Sequence, residues 1–475
     1  MTSEDEVNER HLSSHVDGLF NPRLSDVFSL VIRQDEVDFV VPHLREDLPL
    51  SLDPFLLWKS SRTEYEELHR MLVGFVEQVR THALAGRIGA ARRLLAEVRE
   101  PVELGLGYAT GTKRGSAIGP MLSTAIIDTF RQIPQLQETG LDHLETLALL
   151  VPKVAEDRIS DLTASVIKPW LAEFTTARCK DLGIPVQRYR LIGWDGDWLG
   201  WRPFEAQLPY NPIDGSPILL APLALLRRLP WINYADYYKS TYSRLVLPAE
   251  RFGRSVPKEE VLAFNRANYQ VIHSYVMGRE EQADECKPDP LFIPLQLDTL
   301  RRKATGLHLL PTGRNDNADK HFEDLAFDLL SSLLYPELDL AGSQVRTVSG
   351  VHIRDIIFHN DGKTPFLSDL RDLYQARQVV VELKNVLALE TEHVNQLYRY
   401  LDGKEMGSFG ILLARNPPPR NVLRNITDLH SSKRAAIMCL DDSDMKLMVE
   451  LLDSRRRPVE ALRKKYVEFT RRLPQ

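Results

Sequence analysis

The chain has 475 residues, 43% of them hydrophobic and 27% charged. Those are ordinary globular values, which exclude wholesale disorder and leave room for two or three domains. The formal net charge is -6, which argues against a chain that binds polyanions over its whole surface. No run approaches the roughly 18 apolar residues of a membrane-spanning helix, and the first residues are acidic and polar, unlike a secretion leader. Cys179, Cys286 and Cys439 lie far apart and match no zinc spacing. The expectation is a cytoplasmic protein, without a membrane partner, in a reducing compartment.

In chain order, VFSLVI and VDFVVP read as strands broken by Pro42, Pro49 and Pro54. From Thr63 to Glu100, apolar residues recur at helical spacing, with Gly86 and Gly89 as a split and Pro101 as the stop. A Gly-rich loop covers Gly105 to Pro120, and helical patterns resume from Met121 to about Leu182. The stretch from Ile184 to Leu229, rich in Pro, Gly and Trp, reads as loops and short strands, and Lys258 to Gln282 reads as a helix. Residues 283–318 carry the prolines and polar turn formers of a linker. Beyond it the texture changes. A helix is expected at 321–334, strands at QVRTVS and VHIRDIIFH, and a strongly β segment at QVVVELKN. A helix at 392–401, a strand at 407–415, a helix from Arg420 to Ser431, a strand at 435–441 and terminal helices complete it. The fold class is α/β in this part, α+β for the whole chain: a mixed sheet flanked by helices at the C-terminus, and a mainly helical, mixed N-terminal region over 1–282.

The chemistry concentrates in VVVELKN. Alternate residues of a strand share a face, so Glu382 and Lys384 point together while Leu383 points away. Val379, Val380 and Val381 mark an internal strand, where charge is costly unless paired or bound to a cation. The preceding apolar run carries Asp355 between Ile353 and Ile357. If the two strands form a hairpin, the two carboxylates converge, and hard oxygen ligands of that kind suit Mg²⁺ or Mn²⁺. A lysine beside them could orient or help deprotonate the water that attacks a phosphodiester.

This set resembles the PD-(D/E)XK nuclease superfamily, the restriction-endonuclease-like fold, over roughly residues 319–445. The resemblance rests on Glu323 in HFEDL, Asp355 in HIRDII, Glu382 and Lys384 in VELKN, and Gln396 in HVNQLYRYL. It implies an αβββαβ core over 319–475 with a basic C-terminal helix. It also implies Asp355, Glu382 and the carbonyl of Leu383 as metal ligands and Glu323 as an accessory ligand. Lys384 would position water or phosphate, and Gln396 would sit near the phosphate or metal. The family's Pro before the Asp is Arg354 here, and the long connection from Asp355 to Glu382 reads as an insertion carrying Asp361, Asp369 and Asp372.

Blander readings stand beside these. A Lys–carboxylate pair at a sheet edge accounts for Asp355, Glu382 and Lys384, a first-turn helix charge for Glu323, and a solvated helix face for Gln396. The loop with Lys113 and Arg114 lacks the P-loop spacing and reads as a surface loop. Trp194, Trp198 and Trp201 in WDGDWLGW read as packing, and Asp157 and Asp161 as a solvated helix face or cap. The tail from Ser454 to Gln475 holds eight Arg/Lys against two Glu, with Val459, Leu462, Tyr466 and Phe469 at helical spacing.

The expectation is therefore an Mg²⁺- or Mn²⁺-dependent endonuclease acting on DNA, with RNA not excluded. By analogy of domain fusion it is the effector of a prokaryotic defence against phage or foreign DNA, its N-terminal region controlling it through a ligand or protein partner. Cutting two strands with one site per chain suggests a homodimer or higher oligomer. The alternatives are a repair or mobile-element nuclease, and an inactive nuclease-fold scaffold.

Overall fold

A computed structural model describes residues 19–107, 117–246, 256–343, 356–401 and 407–473. It mixes helix and strand, an α+β chain with small sheets. Two compact units divide it: Gln34–Leu291, and Phe292–Gln475 together with Met1–Arg33.

The first unit, Gln34–Leu291, is mainly helical. A two-residue strand β1 (Ser51–Leu52) leads into α1 (Pro54–Trp58), which Asp53 caps by accepting from Phe55 N. Next come α2 (Thr63–Leu84) and α3 (Ile88–Ala96). In α2 the residues Tyr65, Leu68, Leu72, Phe75, Val76, Val79 and Ala83 recur every three or four positions and are all buried, so the sequence pattern is the core face. Gly86, at φ +72, turns the chain between the two helices, as glycine allows. Helices α4 (Pro120–Gln132), α5 (Pro134–Thr139) and α6 (Glu156–Leu182) follow. The region from Ile184 to Leu229 is not short strands but a long hairpin, β2 (Gln187–Asp195) with β3 (Gly200–Leu208), before the short β4 (Leu226–Arg227), which pairs with β1. The hairpin lies on α6 so closely that a Cβ at Gly193 would stand 2.5 Å from Pro169 of that helix, and 2.8 Å from Phe204 on the paired strand. The predicted helix over 258–282 is two, α7 (Lys258–Ala267) and α8 (Tyr269–Glu281), broken at Asn268.

Two expectations for the chain before Phe292 are corrected, and the packing expected of the Trp cluster holds for two of its three rings. VFSLVI and VDFVVP form no strand; Phe39 makes only an isolated bridge to Pro222. Asp161 is not solvated: it is buried in α6 beside Arg158 at 3.3 Å, and burial raises its pKa to about 7. Trp194 and Trp201 pack edge-on against each other and against Phe75, whereas Trp198 at the hairpin tip is exposed. The Gly loop with Lys113 and Arg114 lies outside the described residues.

The second unit is built on a five-stranded sheet in the order β5-β6-β7-β8-β9: Asp339–Ser343, Ile356–His359, Gln378–Lys384, Phe409–Ala414 and Ala436–Leu440. β5, β6 and β7 are antiparallel; β7, β8 and β9 are parallel. Before the sheet come α9 (Leu297–Leu309) and α10 (Ala318–Leu334). The insertion between β6 and β7 contains α11 (Pro365–Tyr374); α12 (Thr391–Leu401) and α13 (Arg420–Lys433) make the parallel crossovers; α14 (Asp442–Asp453) and α15 (Val459–Thr470) end the chain. Strand QVRTVS falls outside the described residues.

Residues 283–318, expected as a linker, include α9, whose Leu300 and Leu307 are fully buried in this unit's core. The reason is Arg415, at the end of β8. Its guanidinium donates to the carbonyls of Leu307, His308 and Leu310 at 2.9, 3.1 and 2.6 Å, and pairs with Asp442 at 3.0 Å. One side chain thus satisfies the open carbonyl end of α9 and holds it on the sheet. The N-terminal segment joins the same unit: Phe20 exchanges backbone hydrogen bonds with the Gln378 side chain, and Arg23 pairs with Asp361 at 3.1 Å and Asp339 at 3.5 Å. Asp361, one of the insertion's three acids, is thereby committed to Arg23.

Candidate functional site on strand β7

β7 is internal, with β6 on one side and β8 on the other, so its apolar run is buried throughout. Its register with β8 sets Val380 against Gly410, Glu382 against Leu412 and Lys384 against Ala414. A Cβ on Gly410 would meet Leu397 and Leu401 of α12 at 3.0–3.2 Å. Paired residues of a parallel ladder share a face, so Glu382 and Lys384 stand on the face that α12 covers.

Glu382 is only 3% exposed. Its Oε1 lies 2.5 Å from Lys384 Nζ, while its Oε2 is buried without a hydrogen-bond donor among the described residues. Lys384 Nζ in turn donates to Gln396 Oε1 on α12 at 3.2 Å. An ammonium has three donors, and these contacts use two of them. Lys384 keeps 20% of its side-chain surface exposed, which leaves room for a third contact with solvent or a ligand.

This is an uneconomical way to hold a strand together. A buried carboxylate with one satisfied oxygen forfeits solvation that one ion pair returns only in part. A hard cation would satisfy Oε2, since Mg²⁺ or Mn²⁺ takes oxygen ligands and needs only one or two carboxylates, keeping water for the rest. The donor set present fits such an ion on that count. Among the described residues, however, no group of three or more His, Cys, Asp or Glu could hold a metal by itself.

The sequence-derived residues fall into three sets. Glu382, Lys384 and Gln396 come together. Glu323 is half-buried on α10, the helix that packs with α9 and α14, and Leu383 is buried in β7 with its side chain on the opposite face from Glu382. Asp355 lies outside the described residues; it immediately precedes Ile356, whose pairing with Val381 is the last described step of the β6–β7 ladder. One residue missed by the sequence reading is His393. It was legible as the position one turn before Gln396 on the same helix face.

Residues 29–233 match the model of a domain of unknown function (DUF8370), a stretch that falls almost wholly in the Gln34–Leu291 unit. No curated protein and no solved structure matches the chain.

Proposed function

We propose that the Phe292–Gln475 unit is a metal-dependent endonuclease of the PD-(D/E)XK type, acting on DNA, with the other unit controlling where or when it cuts. The observation that carries this reading is Glu382: a carboxylate buried in an internal strand, one oxygen on Lys384 and the other without a donor among the described residues. The order α10-β5-β6-β7-α12-β8 supports it, being an αβββαβ sequence of elements with α11 inserted between β6 and β7.

In this reading Glu382 and Asp355 hold Mg²⁺ or Mn²⁺, with the Leu383 carbonyl and Glu323 completing the set. When bound, the ion supplies charge stabilisation at the phosphate. Gln396 fixes the Lys384 ammonium through its Oε1 and keeps one N–H directed out of the pair. That N–H holds the attacking water or a phosphate oxygen in line. The buried strand excludes bulk solvent from Glu382, which strengthens each of these contacts.

Cleavage of supercoiled plasmid and of single-stranded DNA tests the reading, run in EDTA, Mg²⁺ and Mn²⁺ with Glu382→Ala and Lys384→Ala as controls. Metal-dependent cutting that both variants lose is the expected result. Absence of cutting with either metal, or cutting that survives Glu382→Ala, would sink it and leave an inert scaffold.

A further inference from the structure

His393 stands three residues before Gln396 on α12, so the two side chains occupy one face of that helix. Its Nδ1 accepts a hydrogen bond from the backbone N–H of Glu390 at 3.0 Å. A nitrogen that accepts carries no proton, so in the neutral ring the proton sits on Nε2. That N–H has no hydrogen-bond partner among the described residues.

The charges around the ring come from three places. Lys384 and Glu382 face it from β7, Glu390 from the segment that leads into α12, and Glu392 from its own helix. Burial first, then the Lys384 charge, hold its pKa below the ordinary histidine value, against the pull of the three glutamates. Protonation would place a hydrogen on Nδ1 facing the Glu390 N–H and add a second cation beside Lys384. The Glu390 N–H thus fixes the neutral ring in one tautomer, with its single donor uncommitted among the described residues.

We propose that His393 is a further substrate-contacting residue of this site, its Nε2–H donating to a non-bridging oxygen of the scissile phosphate beside Lys384. The proposal rests on the nuclease reading. A neutral donor adds a directed hydrogen bond without adding charge. That suits a position where the Lys384 ammonium already supplies the cation and the Glu382 carboxylate must stay ionised. The side chain forms no covalent bond and transfers no proton; it orients the phosphate while water attacks.

The test uses the full chain and supercoiled plasmid in Mn²⁺, under single-turnover conditions, with His393→Ala, His393→Gln and Glu382→Ala. Gln presents an N–H near the Nε2 position without a titratable ring. His393→Ala is expected to cut roughly 100-fold more slowly, the lower end of what loss of one preorganised donor costs. His393→Gln should recover most of that loss, and wild-type activity should fall on the acid side more steeply than that of the Gln variant. Two outcomes overturn the proposal while the nuclease stands: His393→Ala cutting as fast as wild type, or Ala and Gln equally slow with matching acid limbs. A wild-type chain that does not cut in Mn²⁺ overturns the nuclease reading and this role together, and is told apart because Glu382→Ala then differs from nothing.

Discussion

Lys384→Met is the perturbation that separates a structural ion pair from a working site. Both partners are largely withdrawn from water, Glu382 with 4% and Lys384 with 20% of its side chain exposed. Removing the ammonium leaves both carboxylate oxygens without a described donor, since Oε2 has none to begin with. Breaking such a pair from one side costs about 3–5 kcal/mol, and the residual exposure of Lys384 puts this one near the lower figure. For a unit of this size, about 3 kcal/mol corresponds to a fall of roughly 6–12 °C in melting temperature. Replacing both partners, Glu382→Leu with Lys384→Met, removes the stranded charge, and apolar replacements of buried pairs range from neutral to about 4 kcal/mol stabilising. The double variant is therefore expected to melt at or above wild type while cutting nothing. Urea denaturation of wild type, both single variants and the double variant gives the coupling, and hydrogen exchange at the β7 amides shows whether the loss is local. A Lys384→Met chain as stable as wild type would refute the reasoning, because it would mean Glu382 is solvated or protonated and its free oxygen is no sign of a missing cation.

Two further outcomes follow from groups other than the Glu382–Lys384 pair. Arg415→Ala strips the carbonyl end of α9 of three hydrogen bonds and leaves Asp442 buried with only the His308 ring, at 3.6 Å, beside it; about 3 kcal/mol of stability should be lost, with faster hydrogen exchange in α9, and unchanged exchange there would show that Leu300 and Leu307 alone hold the helix. In the Gln34–Leu291 unit, burial and then the Asp53 charge hold the Glu145 carboxyl well above the usual carboxylate range, and Asp53 itself is raised to about 6. A carboxyl whose folded pKa is raised binds a proton that the unfolded chain has lost, so stability falls as pH rises above about 4.5 toward the folded value, by at most about 1.4 kcal/mol per pH unit for each proton. Glu145→Gln should therefore be the more stable chain at pH 8 and show a shallower decline between pH 5 and 8; denaturation curves that shift in parallel for both would contradict a proton held there.

What the sequence makes legible follows from how local each signal is. Strand β7 and helix α2 are readable because a continuous valine run bounded by polar residues and an apolar period of 3.6 are set by contacts each element makes along its whole length. α9 is not readable, since its amphipathic pattern is short and flanked by prolines. What holds it is Arg415, more than a hundred residues away, and no window of sequence contains both. Asp161 fails for the same reason in reverse: an acidic i, i+4 pair looks solvated until β1 is seen to pack on α6, with Leu52 N donating to Ser160 Oγ. The site itself lies between these cases. Glu382 and Lys384 are two apart on one strand, so their pairing is a local consequence of the pleat. Gln396 and His393 are set one helical turn apart on α12, so their shared face is equally local. The step the sequence does not contain is that α12 crosses the Glu382 face of the sheet. Gly410 settles that, because a side chain there would strike Leu397 and Leu401. The absence of a side chain at Gly410 therefore seats α12 on the sheet and brings its polar residues to the Glu382–Lys384 pair of β7.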